Sequence, residues 1–420
     1  MNPDNFTQTS GKLIENNLKY LKSLVFEVTD QCNLNCKYCG LAELYTGYDE
    51  RKNKMFSFEK AKSIINYLFK LWGKNYSHGC IFPVSIGFYG GEPLLNTSFI
   101  KKVIEYLEHS ENVGKRFSYS MTTNAVLLDK HIDYLADKKI RLLISLDGDK
   151  TAQSYRVDHS GNNSFDKVFK NVKALQRKYP NYFKELVNFN AVLHNRNNVE
   201  SIYKFFKINF DKIPQISPLN TLGIRKNKIE KFKQMYQNTY ESFNKAIDCE
   251  SLESEMFSAF PKTYALIDYI YNRSGNVFIK YNDLFVDSSN MNYIPTATCT
   301  PFMKKMFITV NGKVLQCERI DHDFELGYVY DDHVELDFEY IAAQHNKHVF
   351  KCVKQCANCA IKFHCTQCVY YIPDIRNDNP HCFNICSKKE SEKQDVEIFQ
   401  HLAKHPYYYE KILDEIELRF

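Results

Sequence analysis

Six short runs of β-forming residues alternate with amphipathic helical stretches between residues 23 and 219, and this alternation constrains the fold more than any other feature. Parallel strands need helical crossovers between them, so the order predicts an α/β fold with a partial (β/α)6 TIM-type barrel. Ligands would then bind at the carboxyl ends of the strands. The predicted strands are Ser23–Thr29, Pro83–Tyr89, Arg116–Thr123, Ile140–Asp147, Leu186–Leu193 and Ile213–Leu219.

The balance of charges argues against nucleic-acid and membrane partners. The chain has 55 Lys and Arg against 50 acidic residues, and the formal net charge of +5 is too small a bias for a polyanion-binding protein. The first twenty residues lack an apolar run, and no later segment is long enough to span a bilayer. We therefore expect a cytoplasmic protein whose 14 cysteines bind metal rather than form disulfides.

The amino-acid composition changes along the chain, and these changes predict five segments. Residues 1–22 form an N-terminal extension, residues 23–222 the barrel, and residues 223–298 a helical linker of two helices rich in Lys, Tyr and Phe. Residues 299–388 hold nine of the 14 cysteines and form a second, metal-binding module. Within it, residues 306–316 are expected to form a hairpin with an Asn-Gly turn, and residues 389–420 form C-terminal helices.

The first cysteine cluster lies on the loop that follows the first predicted strand. Cys32, Cys36 and Cys39 have the spacing CxxxCxxC, which lets three thiolates hold three irons of one [4Fe–4S] cluster. The fourth iron would stay open to a small ligand. The alternative is a zinc knuckle, but zinc usually requires a fourth protein ligand, often from a second CxxC or HxxxH pair, and none is adjacent here.

Polar motifs end the next three predicted strands: PheTyrGlyGlyGluProLeu at 88–94, ThrThrAsnAla at 122–125 and IleSerLeuAspGly at 144–148. Together with the cysteine loop, these motifs resemble those of the radical S-adenosylmethionine (SAM) superfamily, with Ala125 replacing the usual glycine. The resemblance implies that Gly90, Gly91 and Glu92 bind the SAM ammonium, since glycines allow close approach of the backbone and a carboxylate suits a cation. It also implies that Ser145 and Arg156 contact SAM, that Asn124 and Asp147 line the same cavity, and that Tyr38 and Leu193 flank the adenine.

The second cysteine cluster, in residues 299–386, resembles the SPASM domain, the auxiliary-cluster module of radical SAM enzymes that modify peptides and proteins. Cys365 and Cys368 depart from the usual pattern, being spaced CxxC where the family has CxxxC. The resemblance implies two auxiliary [4Fe–4S] clusters, with a pair of structural zinc sites as the alternative. One cluster would use Cys299, Cys317 and Cys368, with Cys352 as a possible fourth ligand, and the other Cys356, Cys359 and Cys365, completed by Cys386 or Cys382.

Glu318 is a candidate catalytic residue because it directly follows Cys317. The similar anaerobic sulfatase-maturing enzymes carry an aspartate there, assigned as a proton acceptor. A glutamate at this position could take a proton from the substrate after hydrogen abstraction. The alternative is a purely structural ion pair with Arg319 or a lysine.

The resemblance implies an oxidoreductase that uses a 5′-deoxyadenosyl radical to remove hydrogen from a peptide or protein residue. The first hypothesis is a maturase that forms a thioether or carbon–carbon crosslink in a ribosomally made peptide, favoured by CysGlyLeu at 39–41. A formylglycine-forming sulfatase maturase is the alternative, and a catalytically inactive iron–sulfur or zinc scaffold is the alternative of another class. The expected partners are a precursor peptide or protein substrate and a reductant such as flavodoxin or ferredoxin.

Overall fold

The fold is described from a computed structural model of the chain, which covers residues 8–41, 43–73, 83–110, 115–257, 261–273, 296–362 and 365–415. The chain divides into two compact units. We call Ser10–Ser242 with Cys299–Ala343 the barrel unit, and Met1–Thr9 with Phe243–Thr298 and Gln344–Phe420 the terminal unit. The domain boundaries inferred from the sequence remain predictions.

The barrel unit is built on a mixed sheet whose first six strands are parallel and lie in sequence order. This confirms the α/β fold and the parallel sheet expected from the alternation of strands and helices. The six strands are β1 (Ser23–Thr29), β2 (Val84–Gly90), β3 (Phe117–Thr123), β4 (Arg141–Ser145), β5 (Val187–Leu193) and β6 (Gln215–Pro218).

Helices connect these strands, and their apolar faces pack on the sheet. Phe99, on the helix after β2, makes an edge-on contact with Phe26 of β1, with ring centroids 5.8 Å apart, and Phe56, just before the helix that follows β1, packs on the same ring at 5.5 Å. The helices of this region are α1 (Gly11–Lys19), α2 (Phe58–Gly73), α3 (Thr97–His109), α4 (Ile132–Asp137), α5 (Phe165–Lys178), α6 (Pro180–Leu186) and α7 (Val199–Phe210).

The sheet continues beyond β1 through a segment far away in sequence. β7 (Met306–Ile308) pairs in parallel with β1, and β8 (Lys313–Leu315), β9 (Gly327–Val329) and β10 (Val334–Glu335) follow as antiparallel strands. The expected hairpin at 306–316 is therefore present, but it extends the barrel sheet. In its turn, the Gly312 N–H donates to the Thr309 carbonyl at 2.8 Å, and only Gly312 has a positive φ (+87°). The turn is therefore not of type I′, in which both central residues have positive φ.

The predicted linker contains four short α-helices in its described part, besides a 3₁₀ turn at Lys226–Lys228 and a π-helical turn at Tyr269–Arg273, where the sequence suggested two helices. They are α8 (Ile229–Met235), α9 (Thr239–Asn244), α10 (Cys249–Glu255) and α11 (Pro261–Asp268). α8 ends early because Tyr236 turns to an extended conformation (φ −69°, ψ 138°) and the Met235 carbonyl accepts from Asn195 N–H at 3.0 Å. The remainder of the linker, residues 274–295, lies outside the described residues.

The terminal unit has its own small apolar core around Phe257, Leu266, Ile270, Tyr408 and Ile412. The Phe257 and Tyr408 rings stack with centroids 5.5 Å apart. The predicted C-terminal helices are observed as α13 (Lys388–Lys404) and α14 (Tyr407–Glu415), and the long α12 spans Phe338–Ala357. Among the residues described, none of these helices has the length and apolarity needed to cross a membrane.

Candidate functional site

The cysteine loop follows β1 and is held by the segment after β4. Asn35 N–H donates to the Val157 carbonyl at 2.7 Å, and Lys37 N–H donates to the Tyr155 carbonyl at 3.0 Å. These two backbone hydrogen bonds fix the chain on either side of Cys36. The loop is therefore a built structure at the carboxyl end of the sheet, as the sequence predicted.

The three thiols of this loop lie close enough to interact electrostatically, and two of them accept hydrogen bonds. Cys32 Sγ accepts from Leu34 N–H at 3.4 Å and from Asn124 Nδ2 at 3.7 Å, and Cys39 Sγ accepts from Arg51 Nη2 at 3.5 Å. Burial raises the pKa of Cys32 to about 11 and that of Cys36 to about 12, so bare thiolates are disfavoured here. Bound iron would supply the missing positive charge, and N–H donors to sulfur are typical of iron–sulfur sites, so the loop fits a cluster.

The two glycines at the end of β2 pack directly against the beginning of the cysteine loop. Gly91 N–H donates to the Thr29 carbonyl at 2.8 Å, and Glu92 N–H donates to the Gln31 carbonyl at 2.9 Å. A Cβ atom on Gly90 would lie 2.3 Å from the Thr29 oxygen, and one on Gly91 would lie 2.0 Å from the Gln31 oxygen. Glycine is required at both positions because the two backbones touch.

Glu92 is fully buried, and its carboxylate accepts three hydrogen bonds. Leu94 N–H and Thr123 Oγ1 donate to Oε1 at 3.0 and 2.7 Å, and Asn124 N–H donates to Oε2 at 2.8 Å. Burial outweighs these donors and raises the pKa of Glu92 to about 6. Glu92 therefore joins the ends of β2 and β3, and the predicted contact with the SAM ammonium would add to this structural role.

Asn124 links the end of β3 to the cysteine loop. Its Nδ2 donates to Asn33 Oδ1 at 2.7 Å in addition to its contact with Cys32 Sγ, and its Oδ1 accepts from Val126 N–H. The next residue, Ala125, has φ +61°, the left-handed conformation that favours glycine. The sequence departure at Ala125 therefore leaves a small backbone strain at this turn.

Asp147 is the centre of a buried ion-pair network. Its Oδ1 accepts from Arg156 Nη2 and from Val192 N–H, both at 3.0 Å, and its Oδ2 accepts from the Tyr38 hydroxyl. His194 Nε2 lies 3.6 Å from the same Oδ2. Burial alone would raise the pKa of Asp147, but the Arg156 charge and these donors hold it below its ordinary value. Asp147 thus positions Arg156 and Tyr38. The backbone N–H of Asp147 donates to Gln153 Oε1 instead of a neighbouring strand, and β4 therefore ends two residues earlier than predicted.

The other predicted SAM contacts lie near strand ends. Ser145 is the last residue of β4 and is half-buried, and Leu193 ends β5 and is fully buried. The Tyr38 ring lies under the Arg156 guanidinium, 5.4 Å from its centroid, and is also largely buried. The structure therefore brings the predicted residues to one end of the sheet, and their individual contacts with SAM remain predictions.

Glu318 forms an ion pair with a lysine, which is the structural alternative considered from the sequence. Lys305 Nζ lies 2.9 Å from Oε1 and 2.8 Å from Oε2, and this contact lowers the pKa of Glu318 although burial opposes it. Burial raises the pKa values of Tyr48 and Tyr89, and the charges of Glu318 and Cys39 add to this effect on both tyrosines. The role of Glu318 as a proton acceptor stays a prediction.

The later cysteines fall in both units. Cys299 and Cys317 belong to the barrel unit, whereas Cys352 to Cys386 belong to the terminal unit. Cys352 and Cys356 lie one turn apart on α12, and burial raises their pKa values to about 11 and about 12. Cys386 N–H donates to Cys359 Sγ at 3.4 Å, and Cys382 N–H donates to Gln355 Oε1 at 3.1 Å.

A cavity of about 420 Å³ lies beside two of these cysteines, Cys365 and Cys386. Within the described ranges, no cysteines are joined by a disulfide, and no three Cys, His, Asp or Glu side chains are gathered around a single metal-ion position. The auxiliary ligand sets and the choice between Cys382 and Cys386 are therefore still predictions.

Sequence motifs gave no indication of two neighbours of the cysteine loop. Arg51 contacts Cys39 Sγ, and His159 Nε2 contacts the Cys32 carbonyl at 2.8 Å. The fold, and not a motif, brings both residues to the loop. For Arg51, the sequence shows only that a charged residue follows shortly after the third cysteine.

Residues 26–208 match the family model of the radical SAM superfamily. The chain is also similar to two curated enzymes. The chain is 28% identical over 211 residues to a cysteine-type anaerobic sulfatase-maturating enzyme of Clostridium novyi, covering 48% of this chain and 53% of that protein. It is 29% identical over 180 residues to the radical SAM cyclopropyl synthase TigE of Paramaledivibacter caminithermalis, covering 41% of this chain and 35% of that protein.

The fold extends the likeness over most of the chain. The solved structure of native anSMEcpe with bound AdoMet and Cp18Cys peptide covers 94% of this chain and 99% of its own, with a TM-score of 0.62 and 20% identity. The chain spans about half or less of the length of the two curated relatives. The family model is that of radical SAM proteins, and the anSMEcpe structure holds AdoMet, so SAM is the cofactor expected of this chain. The cysteine-rich region fits auxiliary [4Fe–4S] clusters, and the residues that hold each group stay predictions.

Proposed function

We propose that this chain is a peptide maturase that forms a thioether or carbon–carbon crosslink in a ribosomally made peptide. The observation that carries the proposal is the cysteine loop itself: its three thiols, two of which accept N–H hydrogen bonds, lie beside the GlyGlyGlu turn and the Asp147–Arg156 pair at one end of the sheet. Cys32, Cys36 and Cys39 would hold the catalytic cluster. When bound, the cluster and SAM supply a 5′-deoxyadenosyl radical that can remove a hydrogen atom from the substrate.

The residues of the chain would prepare the site in three ways. The glycine pair brings the backbone of β2 close enough to fix the cysteine loop. Asp147 holds Arg156 so that its guanidinium can face a carboxylate, and Glu92 offers negative charge to an ammonium. Burial of Tyr38 and Leu193 removes water from the same end of the sheet, which protects a radical from side reactions.

A peptide substrate is supported by what the relatives and neighbours are. The anSMEcpe structure holds a peptide together with AdoMet, and the Clostridium novyi relative is named for the maturation of a sulfatase. A reductant such as flavodoxin or ferredoxin would supply the electron. A cytoplasmic location, where thiols stay reduced, is part of the same proposal.

Sulfatase maturation is the second candidate, and Glu318 favours it. The residue directly follows Cys317, and its carboxylate accepts a hydrogen bond from Cys317 Sγ at 3.7 Å; a proton acceptor there could serve the oxidation of a substrate cysteine. The similarity to the Clostridium novyi sulfatase-maturating enzyme points in the same direction.

Mass spectrometry of two substrates separates these candidates. The reconstituted protein is incubated anaerobically with SAM, dithionite and either a short peptide taken from the genes next to its own or a sulfatase peptide carrying the target cysteine. Loss of two hydrogen atoms from the first peptide, with a new linkage in its fragments, is the expected result. Conversion of the sulfatase cysteine to an aldehyde, with no change in the first peptide, would reject the crosslinking proposal in favour of the alternative.

A further inference from the structure

Arg51 is a charged neighbour of the cysteine loop that no sequence motif assigns. Its Nη2 lies 3.5 Å from Cys39 Sγ, a normal length for an N–H···S hydrogen bond. The other described donors to sulfurs of this loop, Leu34 N–H and Asn124 Nδ2, are neutral and contact Cys32. Cys39 therefore differs from Cys32 in accepting from a full positive charge.

The backbone around Arg51 is fixed on both sides. On the carboxyl side, the buried Asp30 carboxylate accepts from Lys52 N–H at 2.8 Å and from Lys54 N–H at 2.7 Å. On the amino side, Asp49 accepts from Asn311 Nδ2 and from Lys313 Nζ, each at 2.8 Å.

These contacts tie residues 49–54 to β1 and to the β7–β8 hairpin. A residue held between two anchored points loses little further entropy when its side chain contacts sulfur. Asp30 and Asp49 each accept from donors other than Arg51, so the guanidinium charge can act on the sulfur.

We propose that Arg51 tunes the catalytic cluster by donating a charge-assisted hydrogen bond to the Cys39 thiolate, which makes the cluster easier to reduce. The inference rests on the proposed function, because it requires Cys32, Cys36 and Cys39 to hold that cluster. Reduction adds one electron, and hence one negative charge, to the cluster and its thiolates. A fixed cation at hydrogen-bond distance stabilises the reduced form more than the oxidised form, and hydrogen bonds to sulfur are among the factors that set such potentials.

The test is a redox titration of the full-length reconstituted protein followed by electron paramagnetic resonance. The [4Fe–4S]⁺ signal that changes when SAM is added identifies the catalytic cluster among the three. In Arg51→Met, the ratio of reduced to oxidised catalytic cluster at a fixed potential should fall about tenfold, which corresponds to about 59 mV for a one-electron couple. Lys52→Met is the matched control: it removes the same charge from the next residue, whose side chain is exposed to solvent, and should leave this ratio within about twofold of the wild type.

Two further variants keep the test decisive. Arg51→Gln retains an N–H donor without the charge and should lower the ratio by an intermediate factor, whereas Arg51→Lys should stay nearer to the wild type. If Arg51→Met binds normal iron and keeps the wild-type ratio of reduced to oxidised cluster, the role of Arg51 is overturned while the proposed function stands. If Arg51→Met loses iron, the same result in Arg51→Gln overturns it. Absence of any SAM-sensitive cluster signal in the wild type would overturn the proposed function together with this inference.

Discussion

The Asp147–Arg156 pair should be essential for the stability of the barrel unit, and Asp147→Asn tests this directly. The two side chains are 0% and 9% exposed and are joined at 3.0 Å. Asparagine keeps the shape of the carboxylate but leaves the Arg156 charge buried without its counter-ion. Removing one partner of a buried pair costs about 3–5 kcal/mol, so the free energy of unfolding should fall by about 3 kcal/mol.

Urea unfolding at neutral pH measures this loss, and the chain offers a matched control. Lys150 and Asp166 form a shorter pair, 2.6 Å, whose side chains are 62% and 71% exposed. Asp166→Asn should therefore cost less than about 1 kcal/mol. A double variant, Asp147→Asn with Arg156→Met, should lose clearly less than the sum of the two single variants, because no unpaired charge remains.

The pH dependence of the same pair has a definite sign. Because the pKa of Asp147 is lower in the folded state than in the unfolded chain, its contribution is present above the ordinary carboxyl pKa and is lost as the pH falls through the folded value. Asp147→Asn should remove that part of the acid sensitivity. A loss below about 1 kcal/mol at neutral pH, equal to that of Asp166→Asn, would refute the buried ion pair as a source of stability.

Two substitutions at backbone positions give further predictions. Gly91→Ala places a Cβ 2.0 Å from the Gln31 carbonyl and should cost about 1–3 kcal/mol in urea unfolding and reduce iron loading, whereas Gly40→Ala, whose nearest neighbour would be 3.9 Å away, should change neither. Ala125→Gly relieves a left-handed alanine and should raise the free energy of unfolding, measured in urea, by about 0.5–1 kcal/mol. An unchanged or lower value would show that Ala125 carries no such strain.

The parallel sheet could be predicted from sequence because its strands are local runs separated by helices. Ser23–Thr29 was predicted with its observed bounds, and the other five strands were located within a few residues. The pairing of β7 with β1 joins Met306 to Leu24 and leaves no local signal, so the hairpin was assigned to the second module only. Strand ends were less accurate where a side chain decides them, as at Asp147, whose N–H bonds to Gln153.

The candidate site was predictable where chemistry requires particular residues at fixed spacing. Three cysteines, a glycine pair and a buried carboxylate can be recognised because few residues replace them. The partners of these residues could not be found in this way. In the sequence, Lys305 and Arg51 look like ordinary surface cations, and only the fold brings Lys305 to Glu318 and Arg51 to Cys39. Their identification depends on long-range packing, which a single sequence does not record.

Cleavage of SAM by the reconstituted protein tests the central claim most directly. The wild type and a variant with Cys32, Cys36 and Cys39 all changed to Ala are loaded with iron and sulfide, reduced with dithionite and given SAM without oxygen. The account predicts 5′-deoxyadenosine and methionine from the wild type, none from the variant, and about four fewer iron atoms in the variant. Failure of the wild type to form 5′-deoxyadenosine, or undiminished cleavage by the variant, would contradict it.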